Sequence, residues 1–362
     1  MTTRRPIAYR DDLEIEQPEE AALTREIVAR MAATQAAHAE RHHHAHRDAH
    51  AKSHAILKGR MTVHQDLPAE LAQGIFAHPG EHEIVARLSS APGDIHSDAV
   101  PAPRGFAVKV IGVGGERLSP TLGGANQDFL MVNFPTLAFG TIAKYKVMLG
   151  LLEKNADAPE AAQRLIAAAA RGVKDAVEAL GVSPNATLDG LARDHANMLG
   201  ETFHTQAAIR YGDHVAKLSL APVGGVAELT GRQVEAGFST MRDAVVDHFR
   251  HAGATYELRA QLCVDPDTMP VEDAAVLWDP ALSPHRAIAT LTFPPQDAYA
   301  PARQVHGDDH LAFNPWNGVA AHRPLGGIMR IRKAAYESSS SQRHRLNAVA
   351  RREPRSLDEI PD

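Results

Sequence analysis

The sequence predicts an α+β fold: an eight-stranded antiparallel β-barrel with a helical insertion, an N-terminal helical arm and a C-terminal helix. Three observations lead there. Eight short segments alternate apolar and polar residues with the two-residue period of half-buried strands. Turns rich in Gly, Pro and Asp, not helices, separate the first four of them, which is how antiparallel neighbours connect. Helical periodicity marks both ends of the chain and a stretch at about 140–200, between the fourth strand and the fifth.

Taken in order, residues 1–20 are polar and acidic with prolines, and read as an arm lying on the surface or on a partner subunit. From Glu19 to about Arg47 the chain is alanine-rich, with Leu23, Ile27 and Met31 at helical spacing. Strands are expected at 55–63, 83–89, 105–111 and 128–133. Alanine runs at 158–170 and a Ser183-Pro184-Asn185 break fill the helical insertion. Strands return at 205–211 and 214–220, joined by a Gly212-Asp213 hairpin turn. A helix at 233–251 precedes strands at 255–264 and 285–293. Eight antiparallel strands can close into a barrel that holds its own side chains or one ligand. The stretch 294–324 is too long for an ordinary connection and is expected to wrap something. The implied organisation is an arm and helix at 1–46, the barrel at 47–293, and the wrap with its final helix at 294–362.

The composition excludes several functions. Of 362 residues, 44% are hydrophobic and 23% charged, which suits a globular protein with a substantial core. A net charge of −6 leaves no basic surplus to neutralise phosphates, so nucleic acid is not the expected partner. One cysteine, Cys263, precludes internal disulfides and any zinc site built on cysteines. The start is followed by acidic residues, and no run of about 20 apolar residues occurs, so the chain is expected to be cytoplasmic and not integral to a membrane.

Two motifs bear on chemistry. His42 and His46, four apart at the end of the first helix, could bind a divalent metal or simply close a polar helix end. After Gly326-Gly327, Arg332 and Tyr336 lie four apart on one helix face. A phenol ionises near pH ~10, and a neighbouring guanidinium favours the phenolate. A phenolate is a hard anionic ligand suited to ferric haem iron. On that stretch alone, a half-buried aromatic packed beside an arginine is the simpler account.

Further residues weigh against simple packing. Arg47-Asp48-Ala49-His50-Ala51-Lys52, Val85-Ala86-Arg87-Leu88-Ser89, Arg104-Gly105-Phe106-Ala107-Val108-Lys109 and Phe129-Leu130-Met131-Val132-Asn133-Phe134-Pro135 precede the Arg332/Tyr336 helix, which continues to Arg343-His344-Arg345-Leu346. In this order the segments resemble the haem catalases, and Phe313-Asn314-Pro315-Trp316 with His322-Arg323-Pro324-Leu325 is similar to a short, catalase-related subgroup. That subgroup includes peroxidases and allene-oxide-synthase-like enzymes acting on organic or fatty-acid hydroperoxides.

The resemblance implies haem b with ferric iron bound by Tyr336, and a peroxide substrate, with an organic reductant as a further partner. It implies His50 as the distal base, oriented by Ser89, and Asn133 as the amide that orients the peroxide. It also implies cofactor contacts from Arg47, Arg87, Arg332, Arg345 and Phe139. A homo-oligomer is expected. Alternatives are a fatty-acid hydroperoxide isomerase or dehydratase, or a haem-less barrel that only binds an apolar ligand.

The pattern departs from the family in several places, among them the haem-stacking phenylalanine, whose slot holds Ala138 with Phe134 and Phe139 as the substitutes. The stretch from His50 to Gly59 is one residue too long, so the strand must bulge or shift register, and His54 competes for the distal role. Asn133 stands two residues before Pro135 instead of three. Arg343 and Arg345 stand two residues further from Tyr336 than their counterparts.

Overall fold

The computed structural model describes residues 4–119, 122, 124–137, 139–147 and 195–362. The alanine runs and Ser183-Pro184-Asn185 of the expected insertion lie outside these.

The strands form one antiparallel sheet that closes on itself. They are β1 (Ser53–Val63), β2 (Gly80–Ser90), β3 (Arg104–Val110), β4 (Gln127–Val132), β5 (Phe203–His204), β6 (Ile209–Tyr211), β7 (His214–Val223), β8 (Ala254–Leu262) and β9 (Arg286–Phe293). The order is β5-β4-β3-β2-β1-β9-β8-β7-β6, and β5 also pairs with β7, closing the ring. Both β5 and β6 pair with β7, so they are two pieces of one wall position, and eight positions make the barrel. The single strand expected at 205–211 is interrupted where Gln206 takes a φ of 63°.

Alternation along each strand decides what lies inside. Ala55, Leu57, Ile84, Ala86, Leu88, Phe106, Val108, Phe129 and Met131 face one core with Phe203, Tyr256 and Phe293. The Phe106 ring meets Phe203 and Tyr256 edge-on, each at 5.2 Å between centroids. Gly59 is the small residue that admits Phe293, since a Cβ there would come within 2.5 Å of its ring. The residues between, such as Val85, Arg87, Ser89, Ala107 and Leu130, point outward.

Helix α1 (Glu20–His42) ends sooner than its composition suggests, at His43 with a φ of 54°. His46 is therefore not on a helix face with His42, although their rings lie 5.4 Å apart. Helix α2 (Thr240–His251) begins later than expected. The wrap contains α3 (Pro301–Val305), which continues as a π-turn, His306–His310. Leu311 and Phe313 then lie on the outer face against Ile56 and Val85. Buried Lys109 holds this layer in place, donating to Asp128 at 2.7 Å and to Glu353 at 2.8 Å. His322 inserts among Phe76, Phe129 and Tyr211, and burial pushes its pKa down to about 3.

Helix α4 (Gly327–Leu346) is preceded by Gly326, whose φ of 89° and 2.4 Å approach of the Val271 carbonyl to any Cβ exclude other residues. Its Ile331 and Ala335 pack on Ile27 of α1 and on Ile142. The arm lies on this same chain's barrel, with Ile7 N–H donating to Cys263 O at 2.9 Å. Its Glu14 joins Glu20 and Glu272 around Arg330, and Glu14 and Glu272 also accept from Gly326 and Gly327 N–H. Among the described residues no helix is long and apolar enough to cross a membrane.

Candidate functional site

His50 lies in the loop before β1 and adopts a φ of 56°. Its backbone is held at both ends: its N–H donates to Ala91 O at 2.9 Å, and its carbonyl accepts from Arg87 at 2.8 Å. Its ring Nδ1 sits 3.1 Å from Ser89 Oγ. The ring packs over Gly105, where a Cβ would come within 2.6 Å of Nδ1. Burial, with the charges of Arg87, Arg332 and Arg47 added, pushes its pKa down to about 3. His50 is therefore a neutral imidazole at pH 7.

The extra residue between His50 and Gly59 is absorbed by a bulge, because Ser53 pairs with Ser89 while Ala55 pairs with Leu88. His54 falls in that bulge, fully buried, and bonds Ser90 Oγ at 2.7 Å. Ser89 and Ser90 point to opposite faces of β2, so the two histidines do not share a side. Strand pairing extends each face across the sheet. Ser89, Gly105 and Val132 are successive partners on the outer face. Ser90 and Arg104 are partners on the other, followed by Asn133, whose Oδ1 accepts from Arg104 N–H at 2.9 Å.

The expectation that Asn133 sits beside His50 therefore does not match the geometry. Its amide Nδ2 donates to Glu201 at 2.8 Å, and Glu201 pairs with Arg104 at 3.0 Å. Asn133 belongs with His54.

On the His50 side three arginines converge on the π-turn. Arg47 donates to Asp308 at 2.9 Å, Gly307 O at 2.8 Å and Leu311 O at 2.9 Å. Arg87 reaches Asp308 at 3.3 Å, and its buried Nε has no partner. Arg343 donates to the carbonyls of Asp308, Asp309 and Leu311. Burial lowers its pKa to about 10. Among the described residues Asp308 is the one carboxylate ion-paired with these guanidiniums, and Asp48 and Asp309 also lie in the field of the cluster.

Arg345, expected here, is exposed, and Arg343 takes the inward position. The signal was available: at about 100° per residue, a residue seven after Tyr336 shares its face and one nine after does not. Asp308 had no such signal.

On α4, Arg332 Nη2 donates to Tyr336 Oη at 2.8 Å. Phe139 packs on Tyr145 at 4.8 Å, and Tyr145 lies in the field of Tyr336, Arg332 and Asp48. Burial raises the Tyr145 pKa. Asp48, beside Arg47, accepts from Ser339 one turn beyond Tyr336, which ties the His50 loop to α4.

Several features suit a haem. A cluster of three arginines suits carboxylate groups such as propionates, the orphaned Arg87 Nε–H seeks an acceptor, and Tyr336 offers an oxygen ligand with a donor on it.

Solved structures place the architecture. The chain superposes on a fungal catalase with a TM-score of 0.57 at 14% identity, covering 86% of this chain and 61% of that one. For catalase A from Saccharomyces cerevisiae the TM-score is 0.59 at 14% identity, with 97% and 71% covered. For a bacterial catalase it is 0.56 at 13% identity, with 94% and 64% covered. This is the catalase fold. The chain thus spans about three-fifths to seven-tenths of the length of these catalases. No protein-family model matches the sequence, and no curated protein is significantly similar to it.

Proposed function

We propose that the protein is a haem-dependent peroxide enzyme of the peroxidase kind, cleaving hydrogen peroxide or an organic hydroperoxide. One observation carries the reading: the neutral His50 imidazole lies in the field of Arg87, Arg47 and Arg332, and Arg332 donates to Tyr336 Oη.

Bound haem would supply the redox chemistry for cleaving the peroxide. The chain's own residues do the rest. Tyr336 Oη would hold the iron, with Arg332 Nη2 donating a hydrogen bond to that oxygen. Arg47, Arg87 and Arg343 hold the propionates, with Asp308 and the π-turn carbonyls fixing the guanidinium planes.

Among the described residues, His50 Nε2 has no hydrogen-bond partner, and Nδ1 is fixed by Ser89. That nitrogen takes the proton from the near oxygen of the peroxide and returns it to the far oxygen as the O–O bond breaks. With a two-electron organic donor DH2, a hydroperoxide ROOH gives ROH, water and oxidised D, so atoms and electrons balance. Ser89 keeps His50 oriented, and Phe139 with Tyr145 forms an apolar wall near Tyr336.

The test is a spectrum and a rate. Haem-supplied protein should show a Soret band with tyrosinate charge-transfer features and should consume peroxide with an organic donor. Tyr336→Phe should lower haem content and abolish those features, with a loss of turnover beyond the roughly ten- to hundredfold that removal of an outer-shell partner costs. Unchanged haem content and spectrum in that variant would remove the axial assignment.

A further inference from the structure

We infer that Val132, and not the amide of Asn133, is the β4 residue that meets the reacting oxygens, and that it selects hydroperoxides with an apolar substituent over hydrogen peroxide. This rests on the peroxide reading above.

Strand register carries the inference. Ser89, Gly105 and Val132 are direct partners across β2, β3 and β4, so their side-chain directions share the outer face. The His50 ring packs on the first two of these, which puts the Val132 methyl groups on the adjacent strand of the same face. Neighbouring β4 residues agree: Phe129 and Met131 lie in the barrel core, while Leu130 packs on the outer cluster.

Asn133 cannot turn to replace Val132. Its Oδ1 completes the ladder to Arg104 N–H and its Nδ2 is bound to Glu201, so rotation would leave buried groups unpaired. The next residue in the row, His204, lies one strand further from Gly105 and turns to His285, with 6.0 Å between ring centroids.

The chemistry follows from counting partners. Hydrogen peroxide carries an O–H at both ends, and each end needs a hydrogen-bond partner once out of water. An alkyl hydroperoxide carries one O–H and one apolar end. A face offering a single acceptor at His50 and methyl groups at Val132 satisfies the second molecule and leaves one end of the first unpaired. A site lacking the partner for one polar end discriminates by about tenfold to a hundredfold.

The test compares kcat/KM for tert-butyl hydroperoxide and hydrogen peroxide in haem-loaded wild-type protein, Val132→Thr and Val132→Asn. The Thr change keeps the shape and adds a hydroxyl, so it guards against a folding defect in the Asn variant. A second readout is the Soret shift on titration with tert-butanol, an unreactive mimic.

Wild-type protein should favour the alkyl hydroperoxide, and both variants should move the ratio toward hydrogen peroxide by about tenfold while weakening the response to tert-butanol. A ratio unmoved by both Val132 changes but moved by Asn133→Ala would overturn the inference and leave the peroxide reading standing. Consumption of neither peroxide by haem-loaded wild-type protein would overturn both.

Discussion

Two rows of side chains cross the same three strands on opposite faces, and they differ in every chemical respect. The outer row holds His50 against Ser89, Gly105 and Val132, close to the three arginines and to Tyr336. The inner row holds His54, Ser90, Arg104, Asn133 and Glu201, linked by hydrogen bonds and an ion pair. Among the described residues, the inner row leaves only His54 Nδ1 of its buried side-chain polar atoms without a partner. The outer row keeps His50 Nε2 and the Arg87 Nε–H unspent. A reactive site needs unsatisfied groups in a fixed frame, whereas a structural lock needs satisfied ones.

The comparison breaks most directly at the two histidines. His50→Ala should lower peroxide turnover by about 10²–10⁴-fold, the usual worth of a general acid–base group, with the haem spectrum retained. His54→Ala should cost stability, about 1–3 kcal/mol in denaturant titration, and change turnover only a few-fold. The reverse pattern would exchange the roles of the two rows.

A smaller contrast lies at the end of α4. Arg343→Ala should raise the rate of haem loss to apomyoglobin about tenfold or more, while Arg345→Ala should leave it within twofold. Equal effects would remove the arginine cluster from the cofactor site.

The smallest effect is on pH dependence. His50 and His322 stay neutral in the fold down to about pH 3, and burial holds His54 well below its ordinary value too. Each is protonated near pH ~6.5 when unfolded, so the unfolded chain binds more protons below that pH and stability falls with pH. Buried Asp128, with its pKa raised to about 6, and Asp48, also raised by burial, act in the opposite sense but are two groups against three. Denaturation midpoints should drop from pH 7 to pH 5, and His54→Asn should flatten the slope by up to about 1.4 kcal/mol per pH unit. The His50 pKa also predicts turnover that is flat across this range as long as the fold holds.

Much of this was legible in the sequence. Period-two alternation located all eight wall positions, since burial on one face leaves that imprint in the residues themselves. The extra residue before Gly59 announced a bulge, but not which face His54 would take, because a bulge breaks the parity rule used to place side chains. Asn133 misled for a related reason: its spacing from Pro135 departs by one, and one residue along a strand is the other face. Arg343 was readable from the helical period and was obscured by following the Arg345-Leu346 motif instead. Asp308 was not readable, because a π-turn has no propensity pattern that marks it.

The clamp on Arg330 has a consequence for how the protein is made. Glu14 and Arg330 are 316 positions apart, and the helix bearing Tyr336 begins at their junction. A ribosome working through the chain can release a collapsing barrel long before it reaches this contact. The helix that carries Tyr336 and Arg343 is therefore among the last features to assemble during synthesis, and a chain still being made has nothing to close the His50 side of the barrel.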